Sequence, residues 1–293
     1  MKYGIIRDME NILVVNNFNA GRKQAIKYKK SLIKFFLQNK KSFKFINIDE
    51  LSEFDTAAFD TIIAVGGDGT VNKIVPYVIN TDKVLGIIPA GTANLLAAKA
   101  GISSNIDKAV KIIENAKTKK IDCLHINEKY CVLRTGFGYD SDIICKTPQS
   151  LKNKFGYFAY FIAGILFALR LKQKNYKIKI NEEEQAFPAT CIIVANAGNM
   201  YKNIVSVSKN CKLDDGLMDV FILDVQNPIL YFFEFLKIIF KSKSNTKNVK
   251  YIQTSNIEIE NEFCNCHIDG EKTKIKDNIK INIIPKSVNI ICN

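Results

Sequence analysis

An α/β fold in two domains is predicted for this sequence: an N-terminal doubly wound parallel α/β domain and a C-terminal β-sandwich-like domain. Three observations predict it. Apolar strand runs alternate with helical periodicity over the first 120 residues, and strand signals dominate from residue 121 onward. Three of the early strands also empty into polar, glycine-bearing turns, the place where ligands gather in an open parallel sheet.

The first strand is Asn11 to Val15, and it leads through Asn16-Asn17-Phe18-Asn19-Ala20-Gly21-Arg22 into a helix over Ala20 to Gln38. In that helix Ala25, Ile26, Leu32, Ile33, Phe36 and Leu37 recur at helical spacing, while Arg22, Lys23, Lys27 and Lys30 take other positions, so one face is core and the other solvated. Strands follow at Phe43 to Ile48, Thr61 to Val65 and Val84 to Ile88, with helices at Val71 to Ile79 and Asp107 to Ala116. The second turn, Gly66-Gly67-Asp68-Gly69-Thr70, joins a strand to a helix. Three glycines let backbone N–H groups converge, and the helix N-terminus adds partial positive charge, so the turn suits a phosphate; Asp68 can face a metal or orient the nucleotide. Tight connections use the same glycines for sterics alone. The third turn is Pro89-Ala90-Gly91-Thr92-Ala93-Asn94, where Pro89 is expected to stop the strand and Thr92 and Asn94 can cap a helix or bind a phosphate oxygen.

From Ile121 the strands run Ile121 to Ile126, Tyr130 to Thr135, Tyr176 to Ile180, Phe187 to Ala195, Leu217 to Leu223, Ile257 to Phe263 and Lys274 to Ile284. The Lys-rich stretch from Ala116 to Asp122 is the expected crossover. Domain limits of 1–120 and 121–285 follow. Two apolar stretches, Phe155 to Leu169 and Pro228 to Phe240, are shorter than the ~18 residues a spanning helix needs. The second precedes Lys241 and Lys243, and it fits either a helix packed on the sheet or one lying in a bilayer interface.

The net charge of +13 admits nucleic acid, an anionic membrane or an anionic substrate, and it also fits a Lys- and Asn-rich coding bias. No RNA-binding or zinc-finger spacing accompanies it, so nucleic acid is not expected. Eight cysteines, mostly in apolar runs, and no signal-peptide pattern fit a reduced, cytoplasmic protein. Strand alternation puts Cys264 and Cys266 on one face and His267 on the other, which disfavours a metal site there. With His125 and His267 the only histidines, a Ser-His triad has few places to live.

Two further segments carry carboxylates. Ile268-Asp269-Gly270-Glu271 is a favourable hairpin turn, and it also places two carboxylates at i and i+2, read here as pointing to one side, one to take a proton from an alcohol and one to assist. Lys212-Leu213-Asp214-Asp215-Gly216-Leu217 is an acidic turn before a strand.

These turns resemble the diacylglycerol kinase and sphingosine kinase family, in particular its soluble bacterial diacylglycerol kinases. The family's nucleotide loop reads G-G-D-G-T and its later loop P-x-G-T-x-N. The first loop is similar to N-P-x-S-G, with Asn17 and Gly21 in place but Phe18 for proline and Ala20 for serine. The segment Leu151 to Tyr160 is also similar to a family segment, whereas Lys209 and Gly198-Asn199-Met200 depart from its pattern. The resemblance implies ATP held by Asn17, Gly21, Gly66, Gly67, Asp68, Gly69, Thr70, Asn72, Thr92 and Asn94. It implies Asp269 as general base with Glu271 as its assistant. It implies magnesium held by Asp215 and the carbonyls of Lys212 and Leu217, with Asp68 near the metal, and Asp122 linking that region to the active site. It also implies a last strand, Ser287 to Cys292, returning to the first domain, which becomes 1–120 plus about 286–293.

The function so implied is transfer of the γ-phosphoryl of Mg-ATP to a lipid hydroxyl, diacylglycerol first, by a cytoplasmic protein bound peripherally to the inner face of an anionic membrane. Another lipid alcohol, such as phosphatidylglycerol or a sphingoid base, stays open, as does a homodimer. A NAD kinase shares G-G-D-G-T, but the aromatic stretches, K-L-D-D-G and D-G-E favour a lipid. A protein that only senses nucleotide or anionic lipid is the non-enzymatic alternative, and the carboxylates at 269 and 271 argue against it.

Overall fold

The computed structural model describes residues 4–5, 11–18, 24–39, 41–148, 150–151, 163–164, 171–180, 182–196, 199–201, 205–206, 212–227, 229–231, 233–234, 246–260, 263–276 and 278–293. The chain forms two compact units, Met1–Ile121 with Lys286–Asn293, and Asp122–Pro285.

The first unit runs β1 (Gly4–Ile5), β2 (Asn11–Asn16), α1 (Gln24–Gln38), β3 (Ser42–Asn47), β4 (Thr61–Gly66), α2 (Asp68–Val78), β5 (Val84–Pro89), α3 (Leu95–Lys99), α4 (Ile106–Asn115) and the start of β6 (Lys117–Ile126). β3, β2, β4 and β5 pair in parallel in that order. The inner strands β2, β4 and β5 are near-continuous apolar runs because both faces are covered, and Ile12 to Val15 and Ile62 to Val65 have no exposed surface, whereas the edge strand β3 alternates. α4 starts where the Asn105 side chain accepts from the N–H groups of Asp107 at 3.0 Å and Lys108 at 3.1 Å. Pro89 ends its strand as expected. It is the last residue of β5, paired with Gly66, and having no N–H costs little at a strand end.

The second unit continues with β7 (Lys129–Cys131), β8 (Arg134–Gly138), α5 (Tyr139–Lys146), β9 (Lys174–Ile180), β10 (Glu183–Ala189), β11 (Cys191–Ala195), β12 (Asn199–Tyr201), β13 (Val205–Ser206), β14 (Met218–Leu223), β15 (Val249–Thr254), β16 (Asn256–Glu260), β17 (Phe263–Ile268), β18 (Glu271–Lys276) and β19 (Ile279–Ile291). One antiparallel sheet orders as β15-β14-β11-β8-β17-β18 and a second as β10-β9-β16-β19. Ile192, Val194, Val220 and Ile222 pack with Ile178, Ile257, Ile259, Ile279 and Ile281 in one core. The alternate residues Cys191, Ile193, Phe221 and Leu223 pack with Tyr139 and Tyr231 in another. The six-stranded sheet is therefore apolar on both faces, which is why β11 and β14 read as continuous hydrophobic runs rather than alternating ones.

From Lys117 on, the stretch read as the crossover lies within strand β6. Thr118 lies in β6 opposite Gly4, and Leu124 in the same strand pairs with Cys131. β19 likewise continues from pairs with β16 to a parallel pair with β5 through Asn289 and Ile290. Most of the two apolar stretches, 152–162, 165–170, 232 and 235–240, lies outside the described residues.

Candidate functional site

In the first unit the strand ends β2, β4 and β5 bring three turns together. Asn17 donates from its backbone N–H to the Val65 carbonyl at 3.0 Å, and its Nδ2 donates to Thr70 Oγ1 at 3.0 Å. Gly67 and Gly91 approach so closely that a Cβ on Gly91 would lie 2.4 Å from the Gly67 Cα, and a Cβ on Gly66 would lie 2.2 Å from Thr70 Oγ1. Glycine is required at both positions by space, with no backbone strain involved. Ala90 N–H donates to the Gly66 carbonyl at 2.9 Å. Asn94 closes its own loop, accepting from Gly91 N–H at 2.9 Å and donating to the Gly91 carbonyl at 2.8 Å.

Asp68 has a definite occupation in this clasp. Its two carboxylate oxygens accept the N–H groups of Leu95 and Leu96, each at 3.1 Å, so it anchors α3 across the two turns. Burial raises its pKa and the backbone donors oppose the rise. A metal at Asp68 would have to share oxygens that already hold these amides. Asn72 lies in α2 with a buried Oδ1 that takes no hydrogen bond, and Thr92 is exposed on the third turn. Gly21 lies outside the described residues.

In the second unit Asp269 and Gly270 are the two central residues of the β17–β18 hairpin, with Ile268 paired to Glu271 and with φ values of 48° and 88°. Both positive φ values match the tight turn that Asp-Gly favours. The expected side-by-side carboxylate pair does not form, because the i, i+2 rule holds along a strand and these residues straddle a turn. Glu271 opens the return strand and is exposed. Asp269 instead turns onto the segment before β8: Oδ1 accepts from Leu133 N–H at 2.9 Å, Arg134 N–H at 3.0 Å and the Cys131 thiol at 3.1 Å, and Oδ2 accepts from Val132 N–H at 2.9 Å. Its own N–H donates to the Arg134 carbonyl at 3.0 Å. Burial pushes its pKa up to about 6, with the thiol and amide donors pulling the other way. A carboxyl with that pKa is ionised at neutral pH and accepts a proton more readily than an ordinary aspartate.

Behind this hairpin lies a buried cluster that sequence reasoning missed. Asp140 Oδ2 meets Arg134 Nη1 at 2.9 Å and His267 Nε2 at 2.7 Å. Burial alone would raise the Asp140 pKa, but the guanidinium and the imidazole hold it at about 2. The one trace of the cluster in the sequence is Gly136-Phe137-Gly138, which fits no dinucleotide fingerprint. A Cβ on Gly136 would lie 2.0 Å from Asp140 Oδ2, and one on Gly138, at φ 71°, would lie 2.5 Å from the Thr190 carbonyl.

The 212–217 turn is pinned to the start of the unit. Asp122, fully buried, accepts Gly216 N–H on Oδ2 at 2.7 Å and donates its own N–H to the Leu213 carbonyl at 2.6 Å. Asp215 Oδ1 accepts Leu217 N–H at 3.2 Å. One exposed carboxylate with the Lys212 and Leu217 carbonyls is an all-oxygen set that fits magnesium completed by water. Among the described residues no cluster of three or more His, Cys, Asp or Glu side chains could hold a metal, so any ion here depends on those carbonyls.

Residues 11–126 match the diacylglycerol kinase catalytic domain model, and residues 134–292 match the YegS C-terminal NAD kinase beta sandwich-like domain model. The chain belongs to the family of diacylglycerol kinases and YegS-like lipid kinases. Among relatives of this lipid kinase family, the chain is 32% identical to a diacylglycerol kinase of Staphylococcus haemolyticus over 58% of this chain and 52% of that protein. It is 29% identical to a "Probable lipid kinase YegS-like" of Yersinia enterocolitica over 81% and 80% of the two chains. The chain spans 54%, 60% and 52% of the length of three curated relatives, the Staphylococcus haemolyticus kinase being the last of them, a little over half in each case. The crystal structure of a diacylglycerol kinase from Bacillus anthracis superposes with a TM-score of 0.73 over 98% of both chains at 20% identity, a likeness of fold.

Proposed function

We propose that this member of the lipid kinase family transfers the γ-phosphoryl group of Mg-ATP to a lipid hydroxyl, with diacylglycerol the first candidate acceptor and phosphatidic acid the product. The single observation that carries the reading is Asp269: a partly exposed carboxylate at a strand end, held by three backbone amides and a thiol, with a pKa pushed up to about 6. Three donors crowd Oδ1 and one reaches Oδ2, so Oδ2 keeps acceptor capacity for the hydroxyl proton.

In this reading Gly66, Gly67, Gly69 and Thr70 cradle the phosphates at the start of α2, and Asn17, Asn72, Gly91, Thr92 and Asn94 shape that cradle. The Gly67–Gly91 approach leaves no side chain between the two turns, so backbone groups meet the phosphates directly. Asp68 keeps α3 in register with the cradle. Asp215, Lys212 and Leu217 would hold a magnesium ion, and the magnesium that accompanies ATP neutralises charge on the transferring phosphoryl group. Asp269 takes the hydroxyl proton as the acceptor oxygen bonds to the γ-phosphorus and the bond to the β-phosphate oxygen breaks to release ADP, and the Asp122-to-Gly216 hydrogen bond keeps the 212–217 turn fixed.

A membrane surface is the proposed location of the acceptor. Ile229, Leu230 and Phe233 are 69%, 39% and 53% exposed, while Tyr231 and Glu234 in the same segment are buried. Glu234 is satisfied by Thr246 Oγ1 at 3.0 Å and Asn248 Nδ2 at 3.3 Å, and lysines follow at 237, 241, 243, 247 and 250. Apolar residues beside cations match an anionic bilayer interface. Among the described residues no helix is long and apolar enough to cross a membrane.

The test is to supply labelled Mg-ATP with diacylglycerol, phosphatidylglycerol, a sphingoid base and NAD as separate acceptors in mixed micelles. Labelled phosphatidic acid supports the reading as stated, and another labelled lipid changes the acceptor alone. Labelled NADP would move the chain to NAD kinase activity, and tight ATP binding without transfer would leave a sensing role.

A further inference from the structure

We propose that Arg134, Asp140 and His267 are positioning residues that fix the 269–270 turn, and with it the direction in which the Asp269 carboxylate faces its substrate; this rests on Asp269 being the base. The three side chains are 8%, 4% and 0% exposed, too deep to touch a substrate. Their hydrogen bonds nevertheless converge on the turn. Gly270 N–H donates to His267 Nδ1 at 3.3 Å, so the neutral imidazole carries its proton on Nε2, the atom 2.7 Å from Asp140 Oδ2. Asp140 in turn holds the Arg134 guanidinium, while the Arg134 main chain both donates to Asp269 Oδ1 and accepts from Asp269 N–H. Thr135 Oγ1 ties the same strand to the His267 carbonyl at 2.7 Å.

Each half of the turn is therefore fastened to one strand, Asp269 through the Arg134 backbone and Gly270 through the chain His267, Asp140 and Arg134. A buried ion pair adds little to stability when compared with apolar residues of the same volume. An apolar filling would remove the acceptor that the protein offers Gly270 N–H and with it the tie on the Gly270 side of the turn. Gly136 supports the same conclusion, since any side chain there would occupy the position of the Asp140–His267 contact.

The experiment compares His267→Leu, which fills the volume without polar atoms, with His267→Gln, which keeps a donor and an acceptor. His267→Leu is expected to lower kcat roughly 10- to 100-fold at unchanged KM for ATP, the scale of a small misplacement of a reacting group, and His267→Gln to recover most of it. In an Asp269→Asn background the Leu substitution should change kcat by less than about 3-fold, because a positioned base that is absent cannot be mispositioned. Full additivity in that background, or native kcat in folded His267→Leu, would overturn the proposal. Amide exchange at Gly270, read by NMR, needs no activity: it should quicken at least about 10-fold in the Leu variant and stay near native in the Gln variant. Unchanged exchange in His267→Leu would also overturn the proposal. A native chain inert toward every acceptor would refute the kinase reading, and the Gly270 amide would then decide the positioning claim.

Discussion

In the proposed reaction Asp269 serves structure and chemistry through the same atoms. Its four hydrogen bonds lock the segment before β8, and the burial they require lifts its pKa to about 6. The acid limb of the rate profile, kcat/KM against pH, should accordingly rise through about 6, and a limb centred near 4 would contradict the assignment. The same shift affects stability. With a folded pKa above the ordinary 3.8, Asp269 favours the native state at low pH, and that contribution is lost as pH rises from about 4 through about 6. Asp140 has the opposite sign: held at about 2, it stabilises above the ordinary carboxylate range and loses that contribution as pH falls from about 4 to about 2. Chemical unfolding of native protein and Asp269→Asn between pH 4 and 7 should show native stability declining relative to the variant; parallel curves would contradict the burial argument. Gly91→Ala tests space alone. Its Cβ meets the Gly67 backbone, which has no flexible end to move, so about 1–3 kcal/mol of destabilisation is expected from thermal or chemical unfolding.

At the scale of elements, the helices and strands of the first unit were legible because burial on both faces or on one stripe writes a clear period into the chain. Ile62 to Val65 is a continuous apolar run and is buried throughout. The same reading missed α5, whose eight residues, Tyr139–Lys146, mix Asp140 and Asp142 with apolar positions too briefly to show a period. It took Tyr130 to Thr135 as one strand, whereas β7 and β8 are separated at Val132 and Leu133, whose N–H groups serve Asp269 instead of a ladder. The D-G-E motif was visible, but the orientation of its two acids depended on Asp-Gly forming a turn, which a strand rule cannot foresee. The Arg134, Asp140 and His267 cluster was invisible because its members lie up to 133 positions apart and only the sheet register joins them. A further outcome follows for α3. Asp68→Ala removes the acceptor for two N–H groups of a five-residue helix and should cost about 1–2 kcal/mol, measured by unfolding, while weakening nucleotide binding.

The whole molecule combines a glycine-lined clasp of three turns in one unit with a held carboxylate in the other, and each is assembled from a strand end. Its excess of lysine acquires a specific meaning in the segment of Ile229, Leu230 and Phe233, three large apolar residues that are partly exposed. Replacing these three with serine should reduce cosedimentation with phosphatidylglycerol-containing vesicles, on the order of 10-fold for the apolar area removed, and spare ATP binding. Equal cosedimentation would place the membrane contact elsewhere. The most direct measurement of the central claim is single-turnover transfer of labelled γ-phosphate to diacylglycerol by the native chain and by Asp269→Asn, with ATP binding measured alongside. The account predicts phosphatidic acid from the native chain, a loss of about 10²–10⁴-fold in the variant and unchanged ATP affinity. Native-like transfer by folded Asp269→Asn would contradict it.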